Sequence, residues 1–435
     1  MSAAAPTRRL QSLDAYRGFI MLAMVSGGFA FAAVLKKHPE ILSEYDGTTW
    51  EAAWTGMWHT LAYQFDHVEW TGCGFWDLIQ PAFMFMVGVA MPFSYAKREA
   101  LGQSRWRMFG HVLLRSAILV ALAVFLSSNA DKQTNFIFTN VLAQIGLGYP
   151  VVYLLWRRHF LLQLLAIAGI LGGYWYFFYQ YTIPDAERRQ LETYLVEKAK
   201  LDPAKELDQF KDLDRFDHLA SHWNKHTNAA AAFDRDFLSR FPRKEEEWNG
   251  RTYWLNKGGY ATLNFVPSIV TMLLGVMAGK WLRSDRTDGR KLRRLLTAGA
   301  VCFVAAMAVD TTIWPLAIAG CDWSFCPIVK RIWTPSWAVF SAGWTFWMLA
   351  AFYWVIDVRG WKAWSFPLVV VGMNSIAIYC MAQLLKPWVR DTLKRHICPT
   401  LFDGVYGPIV QSVAILFTLW LVCLWIYRQK IFIRI

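Results

Sequence analysis

The sequence predicts an all-α polytopic membrane protein with about ten transmembrane helices and one large extracytoplasmic insertion. Three observations carry this expectation. The 435 residues are 55% hydrophobic with mean hydropathy +0.25, more apolar than the core of a soluble chain requires. About ten apolar runs reach or approach the roughly 20 residues that cross a bilayer. Twenty-four Trp and 30 Phe add the aromatic weight found where helix ends meet headgroups. A net charge of +13 would suggest a nucleic-acid partner in a soluble protein. Here the basic residues form short clusters between apolar runs, with no interleaved basic-aromatic motif, so membrane orientation accounts for them better. The seven Cys form no CxxC pair, which argues against structural zinc.

Taken in order, MSAAAPTRRLQSLDAYRG leads into a run of spanning length with no small-residue cleavage site, so the first span, about 18–36, is expected to be a retained membrane helix. A loop, WTGMWHTLAYQFDHVEW, follows it. Further spans are expected at about 75–96, 109–128, 138–156 and 160–181. Residues 183–259 are rich in charge and poor in long apolar runs, and read as a partly helical soluble insertion. The remaining spans fall at about 262–283, 295–318, 336–356, 365–385 and 406–427. The chain thus divides into membrane helices 1–5 with the His67 loop (1–182), the insertion (183–259) and membrane helices 6–10 (260–435).

The basic clusters at 8–9, KREALGQSRWR, WRRH, KWLRSDRTDGRKLRR, DVRGWK and YRQK all fall on one side of ten spans. By the positive-inside rule that side is cytoplasmic, with both termini inside. His67, the insertion, Cys321 and Cys326 then lie outside, where CDWSFC would permit a disulfide and Cys398 could compete for either partner. His218, His222 and His226 recur every four residues, which places them on one face if that stretch is helical. HLASHWNKH lacks the glutamate of HExxH, so solvated histidines are favoured over a zinc site.

Ionisable groups at a bilayer edge are costly and mark functional sites. His67 has Asp66 and Glu69 beside it and Asp77 at the start of the next helix. A carboxylate near an imidazole orients the ring and stabilises its cation, as general-base or nucleophilic catalysis requires. The plainer role for Asp77 is a helix cap. Asp14 and Arg17, three apart, can face each other as an ion pair, or Arg17 can meet a phosphate. Arg115 needs a partner or a wet cavity inside its span. Asn374 and Ser375, like Asn140 and Gln144, could bond a neighbouring helix or a ligand. GVMAG at 275–279 reads as a close helix contact. Without a Walker loop or GxGxxG, ATP-driven transport is disfavoured.

Seven stretches come in the order of a known family: SLDAYRG, WDLIQPAFMFMVGVAM, NVLAQIGLGYPVVY, PSIVTMLLGVMAGKWL, IWTPSW, VIDVRGW and GMNSIAIY. Over nearly its whole length, down to YRQKIFIRI, the chain resembles the heparan-α-glucosaminide N-acetyltransferase family, including its bacterial members. That family's lysosomal enzyme takes acetyl from cytosolic acetyl-CoA and delivers it across the membrane to a glucosamine amine. The resemblance implies an acetyl-CoA-dependent acyltransferase of the bacterial inner membrane, homodimeric and without a metal, acting on an amino sugar. His67 matches the family's active histidine. The family's first helix carries an asparagine that assists catalysis, where this chain has Ser26. The resemblance begins at the first span, without the family's large N-terminal lumenal domain, which leaves the insertion to shape the acceptor site. Arg17, with Asp14 beside it, Arg115, Asn374 and Ser375 are the candidates for holding acetyl-CoA. Two other readings stand beside this one: O-acetylation of an envelope polysaccharide, and transport of a sugar or glycolipid with no acyl transfer. The sequence shows no convincing internal repeat of the kind many transporters carry.

Overall fold

A computed structural model describes residues 9–38, 49–129, 131–198, 212–241, 247–248, 251–312 and 323–433. The first half contains α1 (Gln11–Ser26), α2 (Phe31–Lys37), α3 (Thr49–Gln64), α4 (Ile79–Ala100), α5 (Arg105–Ser127), α6 (Val141–Trp156) and α7 (Phe160–Tyr179). The insertion holds α8 (Asp185–Lys198), a 3-10 turn His218–Trp223, α9 (Ala229–Leu238), and a minimal hairpin pairing Glu247–Trp248 with Arg251–Thr252. The second half contains α10 (Phe265–Arg283), α11 (Asp288–Val309), α12 (Pro335–Phe352), α13 (Phe366–Gly372), α14 (Ser375–His396) and α15 (Gly407–Arg428).

Among the described residues, eight helices are long and apolar enough to cross a membrane. The pair α13 and α14, bent by 68° at Met373–Asn374, makes a ninth if counted as one span, and the shorter apolar helix α6 lies where the remaining span is expected. The chain is a polytopic all-α membrane protein. Outward-facing apolar side chains on α7, α11 and α15, such as Leu161, Leu165, Val301, Val304, Phe417 and Leu421, suit contact with acyl chains.

The centre of the bundle is a seam of small residues between α4 and α10. A Cβ on Gly275 would sit 2.1 Å from Phe85 O, and one on Gly88 would sit 2.0 Å from Met272 O. Only glycine lets the two backbones approach so closely. GVMAG is therefore a helix contact, as its sequence suggests. The start of α1 is fixed differently. Its first N–H groups, on Gln11 and Ser12, donate to Asp357 at 3.2 and 3.1 Å, so a carboxylate from a distant π turn caps it.

Three expectations need correction. The stretch before His67 is not a loop but the helix α3. It contains no proline and a single glycine, and Trp54 and Trp58 meet edge to face at 5.9 Å one turn apart while Trp58 packs on Phe31 of α2. The span expected at 295–318 begins earlier and stops at Asp310, whose carboxylate turns the chain by accepting from Ile328 N–H at 2.7 Å. The three histidines do not share a face. The 3-10 turn holds His218 and His222, and His226 lies beyond its end with a left-handed φ of 66°. His226 is also buried, which pushes its imidazole down to about 3. Among the described residues no group of three His, Cys, Asp or Glu is placed to hold a metal. Cys321 lies outside the described residues, while Cys326 is buried with Ser336 Oγ 3.5 Å from its sulfur.

The seam makes a direct prediction. Gly275→Val should destabilise the protein by about 2 kcal/mol or more, because the clash is with backbone that cannot rotate away. Thermal unfolding of the full-length protein in detergent, followed by fluorescence-detected size exclusion, should show the drop. An unchanged midpoint would mean that the seam opens without cost.

Candidate functional site

The site is assembled by two loops that meet at one end of the bundle. The first connects α3 to α4 and carries His67. The second connects α11 to α12 and carries Lys330. They are stitched by a bridge between Thr71 and Val329 and by Gly72 N–H donating to Ile328 O at 3.2 Å. The second loop is held by Thr334, whose hydroxyl accepts from Val329 N–H at 3.1 Å and caps α12 through Trp337 N–H. Arg331 ties three segments together, donating to Val68 O at 3.1 Å and to Gly258 O at 2.7 Å. The insertion reaches the same place, since Trp70 Nε1 donates to Trp223 O at 3.1 Å.

Asp77 organises this junction. It sits in the 3-10 turn Phe75–Leu78 that opens α4, and its Oδ2 accepts from Gly74 N–H at 3.1 Å and Val68 N–H at 3.3 Å. Its Oδ1 lies 2.8 Å from His67 Nδ1 and 3.1 Å from Lys330 Nζ. Asp77 thus serves both as a helix cap and as the partner of His67. Lys330 Nζ is also 3.0 Å from His67 Nδ1. The Asp77 and Lys330 side chains are 1% and 4% exposed, whereas that of His67 is 39% exposed. The ion pair is therefore sealed and the imidazole is reachable. Burial pushes the Lys330 ammonium down, and the Asp77 carboxylate opposes that.

An ammonium can only donate and a carboxylate can only accept. Nδ1 therefore either carries hydrogen and donates to Asp77, or is bare and accepts from Lys330. We assign the first tautomer, in which Asp77 receives both donors and Nε2 keeps its lone pair. Nε2 makes no hydrogen bond among the described residues. Such an imidazole can act as a nucleophile or a general base.

A second cluster occupies the opposite end. Arg115 Nη1 donates to Tyr149 Oη at 3.0 Å, its guanidinium stacks over that ring at 4.7 Å, and Tyr149 Oη lies 3.1 Å from Tyr95 Oη. The Nε of Arg115 is buried without a hydrogen bond. Arg17 is half-buried and makes no hydrogen bond among the described residues. Asp14 is not hydrogen-bonded to Arg17: Arg9 reaches back from the preceding segment and bonds it at 2.6 and 2.9 Å. Asp77 and Tyr95 lie at opposite ends of α4, about 27 Å apart at 1.5 Å per residue.

The other expected site residues do not join either cluster. Ser26 is buried at the end of α1, and its hydroxyl donates to Ala23 O at 2.7 Å. Asn374 sits in the break between α13 and α14 and clamps the C-terminal segment, donating to Ile431 O at 3.2 Å and accepting from Ile433 N–H at 3.0 Å. Ser375 follows it as the first residue of α14. Asn140 caps α6 through Ala143 N–H, and Gln144 pairs with Gln80 at 3.1 Å. The residue that sequence reading misses is Lys330. Its only local signal is a basic pair interrupting the apolar stretch PIVKRIW, and 263 positions separate it from His67.

No family model matches the chain. It is similar to human heparan-alpha-glucosaminide N-acetyltransferase, with 22% identity over 98% of this chain and 60% of the relative. The mouse protein of the same name is 23% identical over 86% of this chain and 57% of its own length. The chain therefore spans somewhat under two thirds of the relatives it matches. Over most of its length the chain is distantly similar to the heparan-alpha-glucosaminide N-acetyltransferases.

Proposed function

We propose that this protein is a transmembrane acetyltransferase. It would move acetyl from cytosolic acetyl-CoA to the amine of a glucosamine-type sugar on the extracytoplasmic side of a bacterial inner membrane. The observation that carries the reading is the polarity of the site: His67 stands with Nε2 unengaged at one end of the bundle, and Arg17 and Arg115 stand at the other. The end bearing the arginines also carries Lys97, Arg98, Arg157, Arg158, Lys280 and Arg283, with Lys280 bonded to Arg158 O at 3.1 Å. The positive-inside rule makes that end cytoplasmic, where acetyl-CoA is found.

Arg17 and the orphaned Nε of Arg115 are suited to phosphate, since guanidinium groups bind it in charge-assisted hydrogen bonds. With the nucleotide held there, the pantetheine arm would run between helices toward His67. Two routes are open to the imidazole. In one, Nε2 attacks the thioester carbonyl, the C–S bond breaks, and CoA leaves as a thiolate that takes up a proton. The amine then attacks the acetyl-imidazole and its surplus proton passes to solvent. In the other, Nε2 removes the amine's proton while the amine attacks the thioester directly, the C–S bond breaks, and the departing CoA thiolate takes that proton from the imidazolium. Asp77 stabilises the imidazolium character that develops in either route. The insertion, joined to the His67 loop through Trp70 and Arg331, would shape the acceptor pocket.

His67→Ala should lower acetyl transfer by about 10²–10⁴-fold in nanodiscs supplied with acetyl-CoA and a panel of amino sugars and hydroxyl acceptors. Wild-type turnover in that variant would reject the reading. Labelled acetyl retained on the wild-type protein without acceptor would select the covalent route. Hydroxyl acceptors outperforming amines would favour O-acetylation. Arg17 makes no hydrogen bond among the described residues, so Arg17→Met should leave the fold intact. It should raise the KM for acetyl-CoA about tenfold or more while changing kcat little, as loss of a charged hydrogen bond implies. An unchanged KM would place the phosphates elsewhere.

A further inference from the structure

We propose that Lys330 is a positioning residue for His67: its fixed charge opposes addition of a second proton to the ring, while Asp77 holds the hydrogen on Nδ1, so that Nε2 keeps its lone pair. The inference rests on reading His67 as the reacting group. A histidine held by a buried carboxylate alone has a problem at neutral pH. The anion attracts a second proton onto the ring, and an imidazolium has no lone pair with which to attack a carbonyl or accept a proton. A cation 3.0 Å from Nδ1 and 3.1 Å from the same carboxylate oxygen cancels much of that pull.

The arrangement is costly, because a fully buried ammonium loses its hydration. The surrounding hydrogen bonds nevertheless hold it in place. Val329 and Arg331 on either side of it are anchored to Thr334, Val68 and Gly258. Asp77 is the one carboxylate bonded to Lys330 among the described residues.

The other groups near the ring leave this balance to the pair. Asp66 turns its carboxylate to His67 N–H at 2.8 Å and lies 3.6 Å from Lys36. Glu69 is exposed. Arg331 stacks over Tyr260 at 5.5 Å with its donors on backbone oxygens. Burial raises Tyr63, Tyr260 and Cys73, which keeps all three neutral near pH 7.

The test follows carbethoxylation of His67 by diethyl pyrocarbonate against pH, using peptide-level mass spectrometry of the full-length protein in nanodiscs. Only the neutral ring reacts, so the midpoint reports its protonation without requiring turnover. Lys330→Met should raise the midpoint by about one pH unit or more, and Asp77→Asn should lower it by a similar amount. Lys330→Arg, which keeps the charge, should stay near wild type. If Lys330→Met alone does not fold, because Asp77 is then buried unpaired, the Asp77→Asn variant and the Lys330→Met/Asp77→Asn double variant still decide. The double variant should fall between the two single shifts. Wherever acetyl transfer is measured, its acidic limb should move with the midpoint, whereas a merely structural lysine would lower the rate without moving the limb. An unmoved midpoint in Lys330→Met, or, if that variant is unfolded, a double variant whose midpoint equals that of Asp77→Asn, overturns the proposal. Absence of acetyl transfer by the wild type would instead overturn the functional reading, with the midpoints still testing Lys330.

Discussion

The carboxylate of Asp77 is the point on which the site depends. Its two oxygens accept from Gly74 N–H, Val68 N–H, His67 Nδ1 and Lys330 Nζ, donors drawn from two loops distant in the chain. A buried anion with fewer donors would be expensive, and this one also lies at the positive end of α4. The same four bonds cap a helix, orient a histidine and hold a lysine inside the protein. No one of these can be removed without leaving another of the groups unsatisfied. The loop between α3 and α4 is therefore tied down, and His67 is presented on a rigid base.

That base is useful only because α4 is itself immobile. The glycine seam with α10 places α4 in the middle of the bundle, with the His67 end and the Arg115–Tyr149–Tyr95 cluster tied to opposite ends of one rod. A break elsewhere complements it. Residues 27–30 all adopt left-handed backbone, with φ of 59°, 67°, 50° and 59°. For Phe29 and Ala30 this costs about 1–2 kcal/mol each. Gly28 has no alternative, since a Cβ there would lie 2.1 Å from Phe65 O. The strained turn lets α1 stop at Ser26 and lays the chain against the strand of backbone that leads to His67. Strain of this kind persists where the surrounding structure holds it, and it gathers near functional sites.

The spans were legible because each carries its signal locally: a long apolar run with basic flanks needs no partner to be recognised. The contact between His67 and Asp77 is legible for the same reason, since they lie ten positions apart around the opening of one helix. Lys330 was not. Its meaning comes from a contact between loops that are distant in sequence, and a lysine beside an arginine reads locally as a solvated pair. The ion pair of Asp14 failed by the opposite route. Spacing of three correctly allowed Arg17 to face Asp14, but Arg9 could also reach it, and sequence spacing does not rank two available partners. The histidines of HLASHWNKH failed because a 3-10 turn and left-handed residues at 218 and 226 break the period that a regular helix would have imposed.

Ser26 marks where the resemblance and the local chemistry have to be reconciled. An asparagine at the end of the first helix brings an amide with two hydrogens to donate. The Ser26 hydroxyl has one, and it is spent on Ala23 O at 2.7 Å, while Ser412 donates to the Ser26 carbonyl. Releasing that hydroxyl toward an oxyanion would cost about 1 kcal/mol, the net worth of the bond it breaks. Its lone pairs are not so committed. If Ser26 takes part in the proposed transfer, the less costly role is to accept a hydrogen bond from the incoming amine or hydroxyl and so orient the acceptor. Stabilising charge on the thioester carbonyl would then fall to other donors.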